Sequence, residues 1–233
     1  MTGSASPLVL EDVGFRWPGR GGFGLSVPDF TLAPRETVLL LGESGSGKST
    51  LLSLICGIVV PQDGRVSVDG TDLSGLGAGA RDRFRAERIG VIFQQFNLLP
   101  YGTVRDNIRL PLRFAPDRRA RAGDAAAETE RLCTGLGLSA DLLGVAAGRL
   151  SVGQQQRVAV ARALIGQPPL IVADEPTSAL DARSQDAFLG LLFDQLRAAG
   201  SALLMVSHDD RLGDRFDRVL RLDDIARSER KTA

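Results

Sequence analysis

Gly42, Gly47, Lys48 and Ser49 stand in the spacing G-x-x-x-x-G-K-S within GESGSGKST (42–50), the arrangement a phosphate loop requires. Glycines let successive backbone N–H groups curl round an anion, and a helix starting at the lysine adds its favourable N-terminal field. On this reading Gly42, Glu43, Ser44, Gly45, Ser46, Gly47, Lys48, Ser49 and Thr50 cradle the phosphates of a nucleotide. Lys48 neutralises the β- and γ-phosphates, and the Ser49 hydroxyl ligates Mg²⁺. A second segment, LIVADEPTS (170–178), ends an apolar run with Asp174 and Glu175. At the carboxyl edge of a parallel sheet Asp174 holds Mg²⁺ through its water shell, and Glu175 orients or deprotonates the water that attacks the γ-phosphate. Alone, such a pair reads as loop or N-cap acids; behind a phosphate loop it reads as phosphoryl-transfer machinery. His208, the single histidine, follows ALLMVS, and Gln94 follows IGVIF. Both take the strand-end position where ligands of such sheets bind. The Gln94 amide is placed to reach Mg²⁺ or the water.

The stretch RLSVGQQQRVAVARAL (149–164) has no acid and no strong nucleophile, yet it is built to hold something. Ser151 with Gln154 three positions on is a capping box that starts a helix. The helix N-terminus with Ser151, Gly153 and Gln154 then forms an open anion site.

These groups need elements to position them. Residues 8–17 alternate at Val13, Phe15 and Trp17, the period of a half-buried strand, and the turn-rich PGRGGFG follows. TVLLLG (37–42) is a short strand, and KSTLLSLICGIV carries helical spacing at Leu51, Leu54, Ile55 and Ile58. RVSVDG, IGVIF (89–93), LIVAD (170–174) and ALLMVS (202–207) read as strands, with a helix over 183–199. VLRL (219–222) is the expected last strand, before a charged, frayed tail. Residues 103–148 are rich in Ala, Arg and Leu with helical patterning and read as an inserted helical subdomain. Alternating strands and helices predict a mainly parallel sheet covered on both faces.

Bulk composition narrows the classes. The 233 residues are 43% hydrophobic and 24% charged, as in an ordinary globular protein. Lys+Arg and Asp+Glu both total 28, so the basic excess of a general nucleic-acid binder is missing. Cys56 and Cys133 show neither metal-ligand spacing nor a secreted-type framework. Flanked by small and apolar residues, they read as buried hydrophobes of a reducing compartment. The N-terminus lacks a signal-peptide pattern. The longest apolar run, LLSLICGIVV (51–60), is about half the ~20 residues a bilayer span needs, so no direct membrane span is expected.

Taken in order, these motifs resemble the ATPase subunit of an ATP-binding cassette (ABC) transporter over nearly the whole chain. GESGSGKST resembles the family's phosphate loop, Gln94 its glutamine loop and LSVGQ its signature. LIVADE resembles its second nucleotide motif, SALD (178–181) its dimer-contact loop and His208 its switch histidine. The resemblance implies an α/β fold: a P-loop NTPase core with a mainly parallel sheet, N-terminal antiparallel strands and an inserted α-helical subdomain. It implies a single ATPase domain, with a nucleotide-binding core over about 1–95 and 165–225 and a helical signature subdomain over about 96–164. ATP and Mg²⁺ are the implied cofactors. Trp17 lies 25 positions before Gly42, where the family places an aromatic that stacks on adenine; a core aromatic on an edge strand is the other reading, and the two are compatible. The site at Ser151 is implied to close over ATP held by a second cassette, expected to be another copy of the chain. The implied membrane partner is an integral permease, with the chain peripheral on the cytoplasmic face of the inner membrane.

Val152 stands where the family usually has glycine, and Gly102 where an apolar residue is more common. FQQFNLLP, TVRDNIRLPL and the loop DGTDLSGLGAGARDRFRAERIG are most similar to the lipoprotein-releasing and macrolide-exporter class. Methionine importers and cell-division cassettes share parts of this pattern, so a mechanical switch without transport and a small-molecule importer stand as alternatives. The added C-terminal regulatory domain of several importers is not expected. Phe96, Leu98, Leu99 and Pro100 have two readings, packing within the helical subdomain or a groove for a permease helix. The arginines of DRFRAER and RFAPDRRARAG read as a solvated face, with a phospholipid-facing surface as the alternative.

Overall fold

The computed structural model describes residues 5–19, 22–178 and 180–230. Its strands are β1 (Leu8–Arg16), β2 (Phe23–Leu32), β3 (Thr37–Leu41), β4 (Asp63–Val68) and β5 (Thr71–Asp72), then β6 (Ile89–Ile92), β7 (Leu170–Asp174), β8 (Ala202–Ser207), β9 (Arg218–Arg221) and β10 (Arg227–Arg230). The α-helices are α1 (Lys48–Ile55), α2 (Ala78–Arg88), α3 (Val104–Arg109), α4 (Pro116–Ala122), α5 (Ala125–Gly135), α6 (Val152–Leu164), α7 (Ala182–Ala199) and α8 (Leu222–Ile225). The chain divides into two compact units, residues 1–85 with 202–233 and residues 86–201.

The first unit holds an antiparallel sheet in the order β10-β2-β1-β4-β5. Burial along β1 switches parity, from Leu8 and Leu10 to Val13 and Phe15. A register shift against β4 between Glu11 and Gly14, with Asp12 at φ 48°, makes that switch. β2 was not readable as a strand because Pro28 interrupts it; in the pairing with β1 the register steps from Asp29 to Val27, so Pro28 owes the ladder no N–H. The same unit has parallel strands β8 and β9 on either side of β3. The runs Val38–Leu40 of β3 and Leu203–Val206 of β8 are fully buried, as in a strand covered on both faces.

Several expectations change here. Ile58 does not extend α1: Gly57 at φ 62° ends the helix, and Ile58 is 60% exposed. VLRL is not the last strand, since residues 227–230 pair with β2 and widen the antiparallel sheet. The loop DGTDLSGLGAGARDRFRAERIG contains α2. There Arg81 and Arg85 do not simply face solvent: they donate to the carbonyls of Gly57 and Cys56, behind the end of α1.

The second unit pairs β6 and β7 in parallel and also holds α3 to α7. Residues 103–148 form short α- and 3-10 helices joined by turns, with one bridge between Thr103 and Ala146. Residues 158–161 of α6 are all fully buried, which suits a helix that is apolar all round in its second half. Arg118, expected on a solvated face, is buried at 2% exposure. Its guanidinium donates to the carbonyls of Ala86, Ile89, Arg162, Ala163 and Ile165, and burial lowers its pKa to about 10. The carbonyls at the end of α6 lack helical partners, and a forked cation satisfies them where water has no access. Cys56 and Cys133 are buried as expected, and burial pushes the Cys133 thiol up to about 11.

Candidate functional site

The predicted site residues fall into two sets, one in each unit. In the first unit β3 delivers Gly42 to a loop that ends in α1. Gly45 and Gly47 lie at φ 78° and 115°, and a Cβ on Gly47 would meet the Phe23 ring at 2.7 Å. No side-chain hydrogen bond caps the start of α1. The Lys48 ammonium donates to the carbonyls of Gly42 (2.7 Å) and Glu43 (2.8 Å), arching over the loop it is expected to serve. The Ser46 hydroxyl donates to the Glu43 carbonyl; Ser44 and Ser49 are exposed.

Trp17 and His208 belong to the same neighbourhood. Trp17 Nε1 donates to Thr50 Oγ1 at 3.0 Å, which ties the indole edge to α1 while 40% of the residue stays exposed. Its ring meets Phe15 edge-on at 5.1 Å. One side of Trp17 thus packs, as the core reading expects, and another is open. β8 runs parallel to β3 with Ser207 opposite Leu41, and the Gly42 N–H donates to the Ser207 carbonyl. His208 is exposed immediately beyond that contact.

In the second unit the register Ile92 to Ala173 brings Gln94, just past β6, and Asp174, at the end of β7, to one carboxyl edge. Gln94 is exposed, Asp174 and Glu175 half-buried. Gln94 and Asp174 offer an amide oxygen and a carboxylate at that edge of the second unit, oxygen donors of the kind Mg²⁺ takes. Among the described residues no group of three or more His, Cys, Asp and Glu is placed to hold a metal ion.

The signature segment folds as its capping box requires. Ser151 Oγ accepts from Gln154 N–H at 3.3 Å, and Gln154 Oε1 accepts from Ser151 N–H at 2.9 Å. Ser151 and Val152 are exposed at this helix start, and a Cβ on Gly153 would meet open space. In SALD (178–181), expected to be the dimer-contact loop, Ala179 lies outside the described residues.

Sequence reading missed the residues that hold these loops. Phe96 and Asn97 have positive φ, 59° and 47°, and Arg162 on α6 donates to both carbonyls, at 2.5 and 2.7 Å. Phe96 is therefore interior, which favours packing over a groove at that position; Leu98 and Leu99 are half-buried and Pro100 is exposed. Asn107, fully buried, binds the backbone of Leu99, Gly102 and Thr103. A Cβ on Gly102 would come within 3.3 Å of that Asn107 amide, so the departure at Gly102 fits this packing. The QQQ run was the available signal: Gln154 caps, Gln155 donates to the Leu150 carbonyl, and Gln156 is buried.

Comparison with known proteins follows the same lines. A family described as ABC transporter matches residues 25–178. The chain is 46% identical over 197 residues to the lipoprotein-releasing system ATP-binding protein LolD of Anaeromyxobacter dehalogenans, covering 84% of this chain and 81% of that one. It is 41% identical over 231 residues to the macrolide export ATP-binding/permease protein MacB 1/2 of Paracoccus denitrificans; this covers 96% of the chain but 33% of that longer relative. Among solved structures, the dimeric bacterial ABC transporter cassette MJ0796 matches with TM-score 0.80 at 30% identity, over 97% of this chain and 99% of that one. A post-hydrolysis dimer of MJ0796 bound to ADP and Pi matches with TM-score 0.76 at 31% identity, over the same shares of the two chains. The chain belongs to the ABC transporter family and is one of its ATP-hydrolysing cassettes.

Proposed function

We propose that two copies of this chain close around ATP and pass the resulting motion to a membrane permease, in export or in release of a lipoprotein or lipid. The observation that carries this reading is the start of α6. A Ser151-capped helix N-terminus is exposed to solvent, with the apolar Val152 52% exposed beside it. An anion site with an apolar neighbour suits a partner's triphosphate better than water. The chain's own phosphate loop supplies the other half of each grip. LolD and MacB relatives and the dimeric MJ0796 cassette support the assembly and the transport class.

In this proposal the phosphate-loop N–H groups and Lys48 bind the triphosphate, and Trp17 gives adenine a face to stack on. Glu175 accepts a proton from the attacking water or orients it, with Gln94 and His208 close to the γ-phosphate. Mg²⁺, held by Ser49 and Gln94 and through water by Asp174, would neutralise phosphate charge as it builds. Once the γ-phosphate has left, the Ser151 helix end loses part of its anion and the two copies part. Among the described residues no helix is long and apolar enough to cross a membrane; we place the chain on the cytoplasmic face of the inner membrane through its permease. Leu98, Leu99, Pro100 and Tyr101, which is 81% exposed, form the contact segment.

Light scattering of the Glu175→Gln chain tests the assembly. ATP should convert monomer to dimer, and adding Ser151→Arg should block this while ATP affinity of the monomer stays near the parent value. ATP-driven dimerisation by the Ser151→Arg chain would refute the shared site.

A further inference from the structure

Glu175 has a left-handed backbone, φ 44°, which a non-glycine residue keeps only where its surroundings hold it. Behind it the chain turns at once: Ser178 N–H donates to the Glu175 carbonyl at 3.2 Å, and Leu180 N–H to the Thr177 carbonyl at 3.0 Å. Two glutamine amides grip this turn from neighbouring helices. Gln156 of α6, 1% exposed, donates through Nε2 to the Pro176 carbonyl at 2.5 Å. Gln185 of α7, 8% exposed, donates through Nε2 to the Thr177 carbonyl at 3.2 Å. Pro176 has no N–H, so its carbonyl is the one backbone hydrogen-bonding group it offers. A leucine or methionine would fill either position without the cost of desolvating an amide. What the amides add is a fixed location for the residues that follow Glu175.

We propose that Gln156, with Gln185, is a positioning residue for the Glu175 carboxylate, a role that rests on the reading of Glu175 as the group that acts on water. The geometry gives α6 two ends of one task. Its first residue follows the Ser151 cap, where the neighbour's triphosphate is expected, and Gln156, little more than a turn further on, holds the turn that carries this chain's own Glu175. A rigid helix therefore links arrival of the partner's ATP at its N-terminus to the placement of the carboxylate in the same chain.

Gln156→Leu and Gln185→Met, made singly in the full chain and again together with Glu175→Gln, test this. Each single variant should lose about tenfold in kcat, the worth of one buried hydrogen bond, with KM and ATP affinity unchanged. Neither should lower the residual single-turnover hydrolysis of the Glu175→Gln chain any further. An unchanged kcat overturns the proposal, as does an equal fractional loss with and without Glu175, or a loss that parallels ATP affinity. Gln156→Asn, whose amide falls one methylene short, replaces Gln156→Leu if that variant does not fold. Turnover at the parent rate by Glu175→Gln alone refutes instead the role of Glu175, and is read without either amide variant.

Discussion

Lys48 and Glu175 are expected to fail in different ways when altered. Lys48 already spends its ammonium on the Gly42 and Glu43 carbonyls, so it both shapes the phosphate loop and supplies charge to it. Lys48→Ala should weaken ATP binding by tenfold or more, on the order of one lost charge-assisted contact, as read by nucleotide titration. Glu175→Gln keeps the shape of its side chain but removes the carboxylate we propose as the base, so ATP affinity should hold while kcat falls by about 10² or more. Trp17 allows a direct optical measurement because it is the only tryptophan. Its emission should change when ATP binds, and Trp17→Ala should weaken ATP about tenfold, within the range of one base stacked on an aromatic. Inorganic triphosphate, which has no base, should bind the two chains equally. Equal loss for both ligands would return Trp17 to a purely packing role.

Among the elements α6 does the most. Its first turn is a capping box, Gln156 reaches the turn after Glu175, and Arg162 holds the backbone just past Gln94. At its far end Arg118 satisfies the carbonyls of Arg162, Ala163 and Ile165. The Glu87 carboxylate in turn accepts from the Asp117 and Arg118 N–H groups, which fixes the start of α4. Arg118→Met keeps most of the apolar stem but leaves five carbonyls without their donor. It should cost about 3 kcal/mol and lower the melting temperature by roughly 10 °C, measured by calorimetry. Arg119→Met, one residue on at an exposed position, is the control and should change little.

For the whole molecule, a site shared between two copies makes rate depend on concentration. At saturating ATP, specific ATPase activity should rise with protein concentration until the dimer saturates, and it should rise further when the permease is added. A specific activity independent of dilution over a 100-fold range, on the order of what separates monomer from dimer by mass action, would show that one chain hydrolyses ATP unaided. The chain spans 33% of the length of its MacB relative.

The motifs could be read from the sequence because each depends on local order. A phosphate loop needs its glycines, lysine and serine consecutive in the chain, and a capping box needs Ser151 and Gln154 three apart; both spacings survive any wider packing. The buried strands TVLLL, LIVAD and ALLMVS were legible for the same reason, each being a short apolar run. Only the tertiary structure showed β2, β10 and the burial of Arg118. β2 contains Pro28 and β10 is charged, so neither carries a strand signal of its own, and each forms because a neighbouring strand offers a ladder. An arginine among arginines reads as solvated until several carbonyls, distant in sequence, converge on it. Gln156 and Gln185 are the same case. Nothing in a glutamine's neighbours along the chain announces a carbonyl 20 residues away at Pro176, and long-range hydrogen bonds of that kind are fixed by packing alone.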